Sequence, residues 1–306
     1  MISIKHEKNI GFYLQYLSFV YCEARVAGIG IREIHEYDRK TLPILQCVSQ
    51  RIARQALMRA PKSKFRVFWG ITWKKFLGAI RKYRMIKKGD RILALVSGGP
   101  DSTALALWLG LLRNKLDFDF CILYLDHGLC AQSFKAGGIA QKTAKMLGIR
   151  FYSRKIRVAS FAKKFRKSLE DAGRILRYRE ALRMAKKLKC NKVAVGHTMD
   201  EQAESVLINI LRGCEVKRSM GAYPDRPISF GSSIRLIRPL IGIKKSEVIE
   251  YLGLSGIKYF KDPMNRDKAF LRVRIRKELM PKFLSINPRA VEHLANLKVS
   301  GIAKLR

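Results

Sequence analysis

Hydrophobic residues recur along the chain in two rhythms, one helical and one that alternates strands with helices. The helical stripe comes first and is formed by Trp69, Trp73, Phe76, Leu77 and Ile80. Their spacing predicts one apolar helix face with basic residues around it. We favour a helix that packs on the core over one that faces RNA, because core helices are commonly amphipathic in this way. Residues 1–69 carry no interpretable motif and are predicted to form a basic N-terminal extension.

From Arg91 onward, short apolar runs alternate with longer helical segments. The predicted strands are Ile92–Val96, Phe118–Leu125, Arg150–Ile156, Lys192–Val195 and Ile234–Ile237. The predicted helices are Ala104–Leu112, Ser133–Leu147, Ser168–Leu188 and Glu201–Leu211. This order predicts an α/β fold with a doubly wound parallel sheet over residues 70–240, whose ligands bind at the carboxyl ends of the strands. Residues 241–306 are predicted to form a basic helical appendage, including a helix over Lys268–Phe283 that Pro281 should bend or end.

Charge changes this picture more than any other bulk property. The 306 residues include 62 Lys and Arg against 24 Asp and Glu, a formal net charge of +38. A basic surface could simply keep a protein soluble, but an excess of this size favours a nucleic-acid partner. Six cysteines without a CxxC pair predict scattered reduced thiols and no zinc site. We expect no membrane span, since no apolar stretch reaches about 18 residues, and the N-terminus resembles neither a signal nor a transit peptide.

The segment after the first predicted strand has the composition of a phosphate-binding loop. It consists of Ser97, Gly98, Gly99, Pro100, Asp101 and Ser102. Adjacent glycines permit positive φ angles and let a ligand approach the backbone, and proline suits the first turn of a helix. The helix start and the loop amides would then cradle phosphate. A tight turn without a ligand is the alternative; neither a Walker lysine nor a GxGxxG spacing is present.

Three further features offer charge or hydrogen bonds near predicted strand ends and helix starts. The first is an acidic helix start, Asp200, Glu201 and Glu204. Acids there suit the helix dipole, but they could also hold a substrate ammonium. The second is a helical stripe of Glu170, Arg174 and Arg177. It forms either a surface ion-pair ladder or a grip on phosphate. The third, His197, either contacts phosphate or RNA or simply ends its strand.

The Ser97–Ser102 segment matches SGGxDS, the signature of the PP-loop ATPases, which cleave ATP to AMP and diphosphate. Further segments, in the same order along the chain, resemble the tRNA(Ile)-lysidine synthetase family. They are Asp126–Leu129, Ala172–Tyr178, Gly196–Ser205, Arg212–Gly213, Asp262–Asn265 and Phe270–Arg276. The chain departs from the family pattern at Cys130, Thr198, Glu201, Ser205 and Val273. These departures indicate a divergent member and not an inactive one.

The resemblance implies a two-step reaction on a tRNA. ATP would adenylate the C2 oxygen of the wobble cytidine in the isoleucine tRNA with a CAU anticodon. Free L-lysine would then displace AMP, so that the codon read changes from AUG to AUA. The resemblance also implies Mg²⁺ on the ATP phosphates, with Asp101 as the nearest protein carboxylate.

The resemblance assigns roles to residues of this sequence. The implied catalytic residues are Asp101, Asp200, Glu201 and Glu204, and the implied ATP-binding residues are Ser97, Gly98, Gly99, Pro100, Asp101 and Ser102. The implied substrate and tRNA contacts are His127, Arg174, Arg177, His197, Arg212, Arg272, Arg274 and Arg276. A homodimer is left open, and we expect the plastid stroma as the compartment, with the bacterial cytoplasm as the alternative. A PP-loop tRNA thiolase and a non-catalytic basic RNA-binding protein are the competing functions.

Overall fold

The structure is a computed structural model that describes residues 62–129, 132–213, 221–263 and 270–303. Its helices are α1 (Lys62–Lys82), α2 (Pro100–Leu116), α3 (Ser133–Leu147), α4 (Val158–Lys164), α5 (Leu169–Lys187), α6 (Met199–Leu211), α7 (Lys245–Leu254), α8 (Leu271–Arg274), α9 (Met280–Ile286) and α10 (Ala290–Ala303). The strands are β1 (Arg91–Leu95), β2 (Asp119–Asp126), β3 (Phe151–Lys155), β4 (Lys192–Val195), β5 (Asp225–Pro227) and β6 (Arg235–Ile237). Most of the predicted N-terminal extension, residues 1–61, lies outside the described residues.

The six strands form one sheet in the order β3-β2-β1-β4-β6-β5. All neighbours are parallel except β5, which runs antiparallel to β6 at one edge. The chain builds outward from β1 through β2 and β3, then continues on the other side at β4, so a crevice opens beyond the carboxyl ends of β1 and β4. The predicted doubly wound sheet is confirmed. Strand β5 was not predicted, because three residues ending in Pro227 show no apolar alternation.

A row of aromatic rings fixes α1, α2 and α7 to one another. The side chains of Trp73, Phe76 and Ile80 are at most 2% exposed. Ring centroids lie 5.3 Å apart from Trp73 to Phe76, 5.3 Å from Phe76 to Trp108 and 5.2 Å from Trp108 to Tyr251. Such edge and tilted contacts are favourable for aromatic pairs. The prediction that the first apolar stripe packs on the core is therefore confirmed for Trp73, Phe76 and Ile80.

The helices after α7 cover α6 through a separate apolar cluster. Its buried members are Ala203, Leu207, Ile208, Ile275, Met280 and Val291. The predicted helix over Lys268–Phe283, which Pro281 was expected to bend or end, is helical from Leu271 onward: α8 has four residues, and a π-helical turn, Ile275–Leu279, leads into α9, which continues past Pro281. Pro281 lies in the first turn of α9, and since proline collides with the carbonyl four residues earlier, the wider turn comes just before it. Among the described helices, none is long and apolar enough to cross a membrane.

A buried ion pair ties β1 to β4 at the amino edge of the sheet. The side chains of Asp90 and Lys192 are 2% and 6% exposed, and 2.6 Å separate Asp90 Oδ2 from Lys192 Nζ. Lys192 Nζ also donates to the Met85 carbonyl at 2.6 Å. Asp90 accepts at Oδ1 from Asn191 Nδ2 at 2.8 Å and at Oδ2 from the Lys87 amide at 2.8 Å. Both carboxylate oxygens are therefore satisfied, as buried polar groups usually are.

Candidate active site

The predicted phosphate loop joins β1 to α2 at the carboxyl edge of the sheet. Gly98 has a φ of +77°, which glycine adopts without strain, and Pro100 opens α2 as predicted. The Ser102 hydroxyl accepts from the Ser97 amide at 3.1 Å and donates to the Gly99 carbonyl at 3.2 Å. The side chain of Ser102 therefore holds the loop in a closed turn above the start of α2.

Two glycines let neighbouring segments approach this loop. A Cβ added at Gly98 would lie 2.3 Å from the carbonyl oxygen of Ala136 in α3. A Cβ added at Gly196, directly after β4, would lie 2.9 Å from the backbone of the first turn of α2. At Gly99, in contrast, the nearest atom is a serine hydroxyl at 3.5 Å. The sequence therefore uses Gly98 and Gly196 for close packing, whereas room for a ligand remains beside Gly99.

Asp101 extends from the first turn of α2 towards the start of α7. Its Oδ2 pairs with Lys245 Nζ, and the two side chains are 15% and 34% exposed. Asp101 Oδ1 is buried and lacks a hydrogen-bond partner among the described residues. Burial raises the pKa of Asp101 to about 6, with Lys245 opposing and Glu201 adding to the shift. A half-satisfied carboxylate next to a phosphate loop is a suitable ligand for a hard cation such as Mg²⁺.

Acids at the start of α6 cap two helices. Glu201 Oε2 accepts from the backbone amide of Thr198 at 3.3 Å, which satisfies one of the free amides that begin a helix. Asp200 Oδ2 accepts from the backbone amide of Lys245 at 2.6 Å. Because Lys245 also pairs with Asp101, the starts of α2, α6 and α7 are linked at one point beyond the sheet. The side chain of Glu201 is 27% exposed there.

Glu204 lies one turn further along α6, where the appendage covers it. Its side chain is 1% exposed, and Arg276 donates to both carboxylate oxygens, at 2.6 and 3.0 Å. Arg272 lies 3.9 Å from Glu204 Oε2 and also contacts Glu170 at 3.3 Å. Burial raises the pKa of Glu204, and the two arginines oppose that shift. Two of the arginines expected to contact tRNA, Arg272 and Arg276, therefore turn inward and join α8 and the π turn to α6.

The two histidines at strand ends are neutral at pH 7. Burial lowers the pKa of His197 to about 4, although the Glu201 carboxylate lies 3.5 Å from its Nδ1. Burial, with help from Arg177, lowers the pKa of His127 to about 4. The His127 ring lies over Gly173 of α5, where an added Cβ would be 3.6 Å from Nδ1. Both imidazoles are therefore not expected to attract phosphate as cations.

Three of the arginines expected to contact tRNA lie at the surface. Arg174 is 64% exposed and pairs with Asp171 at 3.4 Å. Arg274 is 60% exposed and pairs with Glu278 at 3.5 Å. Arg212 caps the carboxyl end of α6 and is exposed. The predicted site residues thus fall into an inner group around Asp101 and an outer group open to a large partner.

Two basic residues of the site, Arg238 and Lys245, were not predicted. Arg238 directly follows β6, is 4% exposed and donates to the Tyr223 carbonyl; burial lowers its pKa. Lys245 begins α7, a few residues later. Position was the signal that could have found them, since the carboxyl end of β6 opens on the same crevice as those of β1 and β4.

Comparison with known proteins identifies relatives of this chain. The family model described as the PP-loop domain matches residues 72–283. The tRNA(Ile)-lysidine synthase of Petrotoga mobilis is 30% identical over 224 residues, which are 73% of this chain and 70% of that protein. The chain belongs to the tRNA(Ile)-lysidine synthase family of PP-loop proteins. A synthase of the same name from Geobacter sulfurreducens is 36% identical over 215 residues, or 70% of this chain and 44% of the relative.

The chain spans about half the length of several curated relatives that it matches, for example 45% of the tRNA(Ile)-lysidine synthase of Dehalococcoides mccartyi. Among solved structures, a tRNA thiolase from Methanococcus maripaludis superposes with a TM-score of 0.64 at 18% identity. The match covers 76% of this chain and 78% of the thiolase. At this identity the likeness shows a shared fold and nothing about the reaction.

The positions where the sequence departs from the family pattern now have structural settings. Ser205 keeps a hydroxyl, which donates to the Glu201 carbonyl at 2.7 Å and contacts Arg272 at 3.3 Å. Val273 is 6% exposed, so an apolar side chain suits its place in α8. Thr198 stands at the N-cap of α6, and Cys130 lies outside the described residues. The described substitutions therefore keep the caps and ion pairs that shape the site.

Proposed function

We propose that the protein joins free L-lysine to C2 of the wobble cytidine in the isoleucine tRNA with a CAU anticodon. The C2 oxygen of the cytidine attacks the α-phosphorus of ATP, and diphosphate leaves. The ε-amino nitrogen of lysine then bonds to C2 while the bond from C2 to its oxygen breaks. AMP departs with that oxygen, and the amine loses a proton. The resulting lysidine makes the tRNA read AUA instead of AUG.

One observation carries the proposal: a positive cradle and an acidic helix start face the same crevice. Strands β1 and β4 are neighbours and Leu95 pairs with Val195, so the loops that follow them open side by side. The first offers backbone amides and a helix start, which suit phosphate. The second offers carboxylates in a chain of net charge +38, which suit an ammonium. ATP and lysine can therefore be bound next to each other, as the two steps require.

The nucleotide and its metal fit the residues of the first loop. The amides of Gly98 and Gly99 would bind the phosphates, with Ser97 and Ser102 keeping the loop in shape. Asp101 Oδ1, buried without a partner among the described residues, would hold Mg²⁺, which commonly takes one or two carboxylates together with phosphate oxygens. Bound there, the metal would offset phosphate charge as diphosphate leaves.

Lysine must be held and deprotonated, since its ammonium has a pKa of about 10.4 in water. Glu201 is the best-placed acid, because its side chain is 27% exposed. Burial by itself would raise the pKa of Glu201, but nearby charged side chains have the larger, opposite effect. The pKa of Glu201 is therefore below its ordinary value, and the carboxylate is ionised at pH 7. Asp200 and Glu204 add negative charge, although their oxygens already bind the Lys245 amide and Arg276. A direct contact between Glu204 and lysine would require Arg276 to release the carboxylate.

The tRNA would bind the basic exterior, with the exposed Arg174, Arg212 and Arg274 on its phosphates and His127 and Arg177 nearer the nucleotide. If phosphate contacts supply most of the affinity, log K should fall linearly with log salt concentration, by about 0.9 per duplex phosphate neutralised. A tRNA affinity that does not depend on salt concentration would contradict this part of the proposal.

We retain the plastid stroma as the proposed compartment because the motifs are divergent, with the bacterial cytoplasm as the alternative. A homodimer is left open.

The experiment that tests the function is incubation of the protein with ATP, labelled lysine and transcribed tRNAs. We expect label to enter only the isoleucine tRNA with a CAU anticodon, with one AMP released for each lysine incorporated. A matched transcript with the wobble cytidine changed to uridine should stay unlabelled. AMP release that needs tRNA but ignores lysine would instead support a thiolase. Tight tRNA binding without any AMP release would support a non-catalytic RNA-binding protein.

A further inference from the structure

Lys245 is placed where a lysine is not expected on helical grounds. It is the first residue of α7, and a cation at the amino end of a helix opposes the positive end of the helix dipole. Its ammonium also lies near the starts of α2 and α6, because Lys245 pairs with Asp101 and its amide binds Asp200. The Asp101 carboxylate pairs with this charge, and the same ammonium also lowers the pKa of Glu201. A lysine in this setting is suited to bind an anionic ligand.

Neighbouring contacts hold Lys245 in position without involving its ammonium. Helix α7 is anchored to α2 through the ring contact between Tyr251 and Trp108 at 5.2 Å. It is anchored to α1 through the ion pair of Lys75 and Glu247 at 2.6 Å. The ammonium itself lies at the end of a flexible four-carbon stem, and the side chain as a whole is 34% exposed. The backbone is therefore fixed, while the charged end of the side chain can change partners.

We propose that Lys245 is the phosphate-binding cation of this site and that it leaves Asp101 to contact the phosphates of ATP and the diphosphate product. This inference rests on the ATP site proposed above and deepens it. The SGGPDS loop carries no lysine of its own, so the cation comes from α7, across the crevice. In the absence of nucleotide, Lys245 keeps Oδ2 of Asp101 paired; with nucleotide bound, both carboxylate oxygens of Asp101 become available to Mg²⁺.

Diphosphate binding measured by calorimetry, without tRNA, lysine or Mg²⁺, tests the proposal directly. Lys245→Met should weaken diphosphate and ATP binding by about 10- to 100-fold, the effect of losing one charge-assisted hydrogen bond. Lys245→Arg should stay within a few-fold of wild type, and AMP binding should change less than diphosphate binding. Lys244→Met is the matched control, because the Lys244 ammonium pairs with Glu292 at 2.6 Å on α10 instead. Thermal melting of each variant checks that the fold is kept.

A second variant separates a phosphate contact from a merely structural pair. Asp101→Asn removes the competing carboxylate charge, so without Mg²⁺ it should tighten diphosphate binding several-fold. Adding Lys245→Met to Asp101→Asn should remove that gain. If Lys245 served only to position Asp101, Lys245→Met would have no effect in the Asp101→Asn background, and the proposal would be overturned. Wild-type affinity for diphosphate in Lys245→Met alone would overturn it as well.

The same data distinguish this inference from the proposed function. If the wild-type protein binds neither ATP nor diphosphate, the ATP site itself is wrong. If the wild type and Lys245→Met bind both equally well, the ATP site stands and only the role of Lys245 fails.

Discussion

Two lysine–aspartate pairs lie at opposite edges of the same sheet, and they differ in almost every respect except composition. At the amino edge, Asp90 and Lys192 are at most 6% exposed, and each oxygen of the carboxylate has a donor. At the carboxyl edge, Asp101 and Lys245 are 15% and 34% exposed. There, one carboxylate oxygen has no partner among the described residues. The first pair is complete within the protein, whereas the second would be completed by the ligand proposed above.

The difference shows how the fold divides stability from chemistry. A buried pair with every hydrogen bond made is strongly destabilising to break, because the remaining charge cannot be solvated. A partly exposed pair contributes little to stability, and its members can exchange partners. Parallel sheets place their ligand sites at the carboxyl edge, so an incomplete pair at that edge suggests a binding site. At the amino edge, where no ligand site is expected, the same incomplete pair would only leave a polar group without a partner.

The largest expected effect is on catalysis, at the carboxyl edge. Asp101→Ala should lower tRNA-dependent AMP formation to background, a loss of at least about 1000-fold, because it removes the proposed metal ligand from the site of developing charge. The melting temperature should not fall. Formation of AMP from labelled ATP is the measurement, and Ser102→Ala is a second variant of the same loop. Normal turnover in both would show that the loop does not bind ATP.

The next effect is on stability, at the amino edge. Lys192→Met should lower the free energy of unfolding by about 3–5 kcal/mol, since it leaves the Asp90 carboxylate buried without its counter-ion. Lys245→Met should change the free energy of unfolding by less than about 1 kcal/mol, as expected for a partly exposed pair. Denaturant titrations of the two variants measure both values. Equal losses would mean that the two pairs do not differ in the way described.

A smaller effect concerns the pH dependence of stability. Asp101 has a folded pKa of about 6 against an ordinary value of 3.8, so the folded protein binds this proton more tightly than the unfolded chain does. Its contribution to stability is therefore full below about pH 4 and is lost as the pH rises to about 6, by at most about 3 kcal/mol. Asp101→Asn should lack this loss and be the more stable protein at pH 7. The free energy of unfolding of both proteins is measured between pH 4 and 7. If it changes with pH equally in the wild type and in Asp101→Asn, the prediction is wrong.

The smallest expected effect is on the use of lysine. Glu204→Gln keeps the shape of the side chain but removes one negative charge, while Arg276 stays positive, so the site should repel an ammonium. We expect the lysine requirement to rise by about 10- to 100-fold, or about 1.5–3 kcal/mol, the size of a unit-charge interaction over roughly 6–10 Å at an effective dielectric constant of about 20, with adenylate formation in the absence of lysine affected less. Arg276→Met is the control, because it shifts the local charge the other way. Equal losses of lysine use in both variants would mean that Glu204 serves only to hold Arg276.

The sequence was sufficient for features that depend on local chemistry. Strands, first turns of helices and helix starts each have local residue preferences. These preferences located the apolar run before SGGPDS, the proline at a helix start and the acids Asp200 and Glu201. Strand β4 was predicted with the bounds that the structure shows. The order of strands and helices also determined the sheet and the edge at which the site lies.

Features that depend on tertiary contacts could not be predicted in this way. Arg272 and Arg276 were expected to contact tRNA, and the structure places both beside Glu204, because a helix periodicity does not say which neighbour covers a given face. Lys245 reaches Asp101 across 144 positions of sequence, and no local pattern links the two. The short strand β5 forms only because β6 offers it an edge. In each case, the partner and not the segment determines the outcome.

The tryptophans of the protein, two of which belong to the row of rings that joins α1, α2 and α7, are unevenly distributed along the chain. All three tryptophans of the chain, Trp69, Trp73 and Trp108, belong to α1 or α2. Intrinsic fluorescence excited at the indole band therefore reports on α1 and α2, whereas the helices that bury Glu204 contribute no indole signal. Circular dichroism in the far ultraviolet samples every helix alike. A loosening of α8, α9 and α10 alone would thus change the dichroism while leaving the tryptophan emission unchanged.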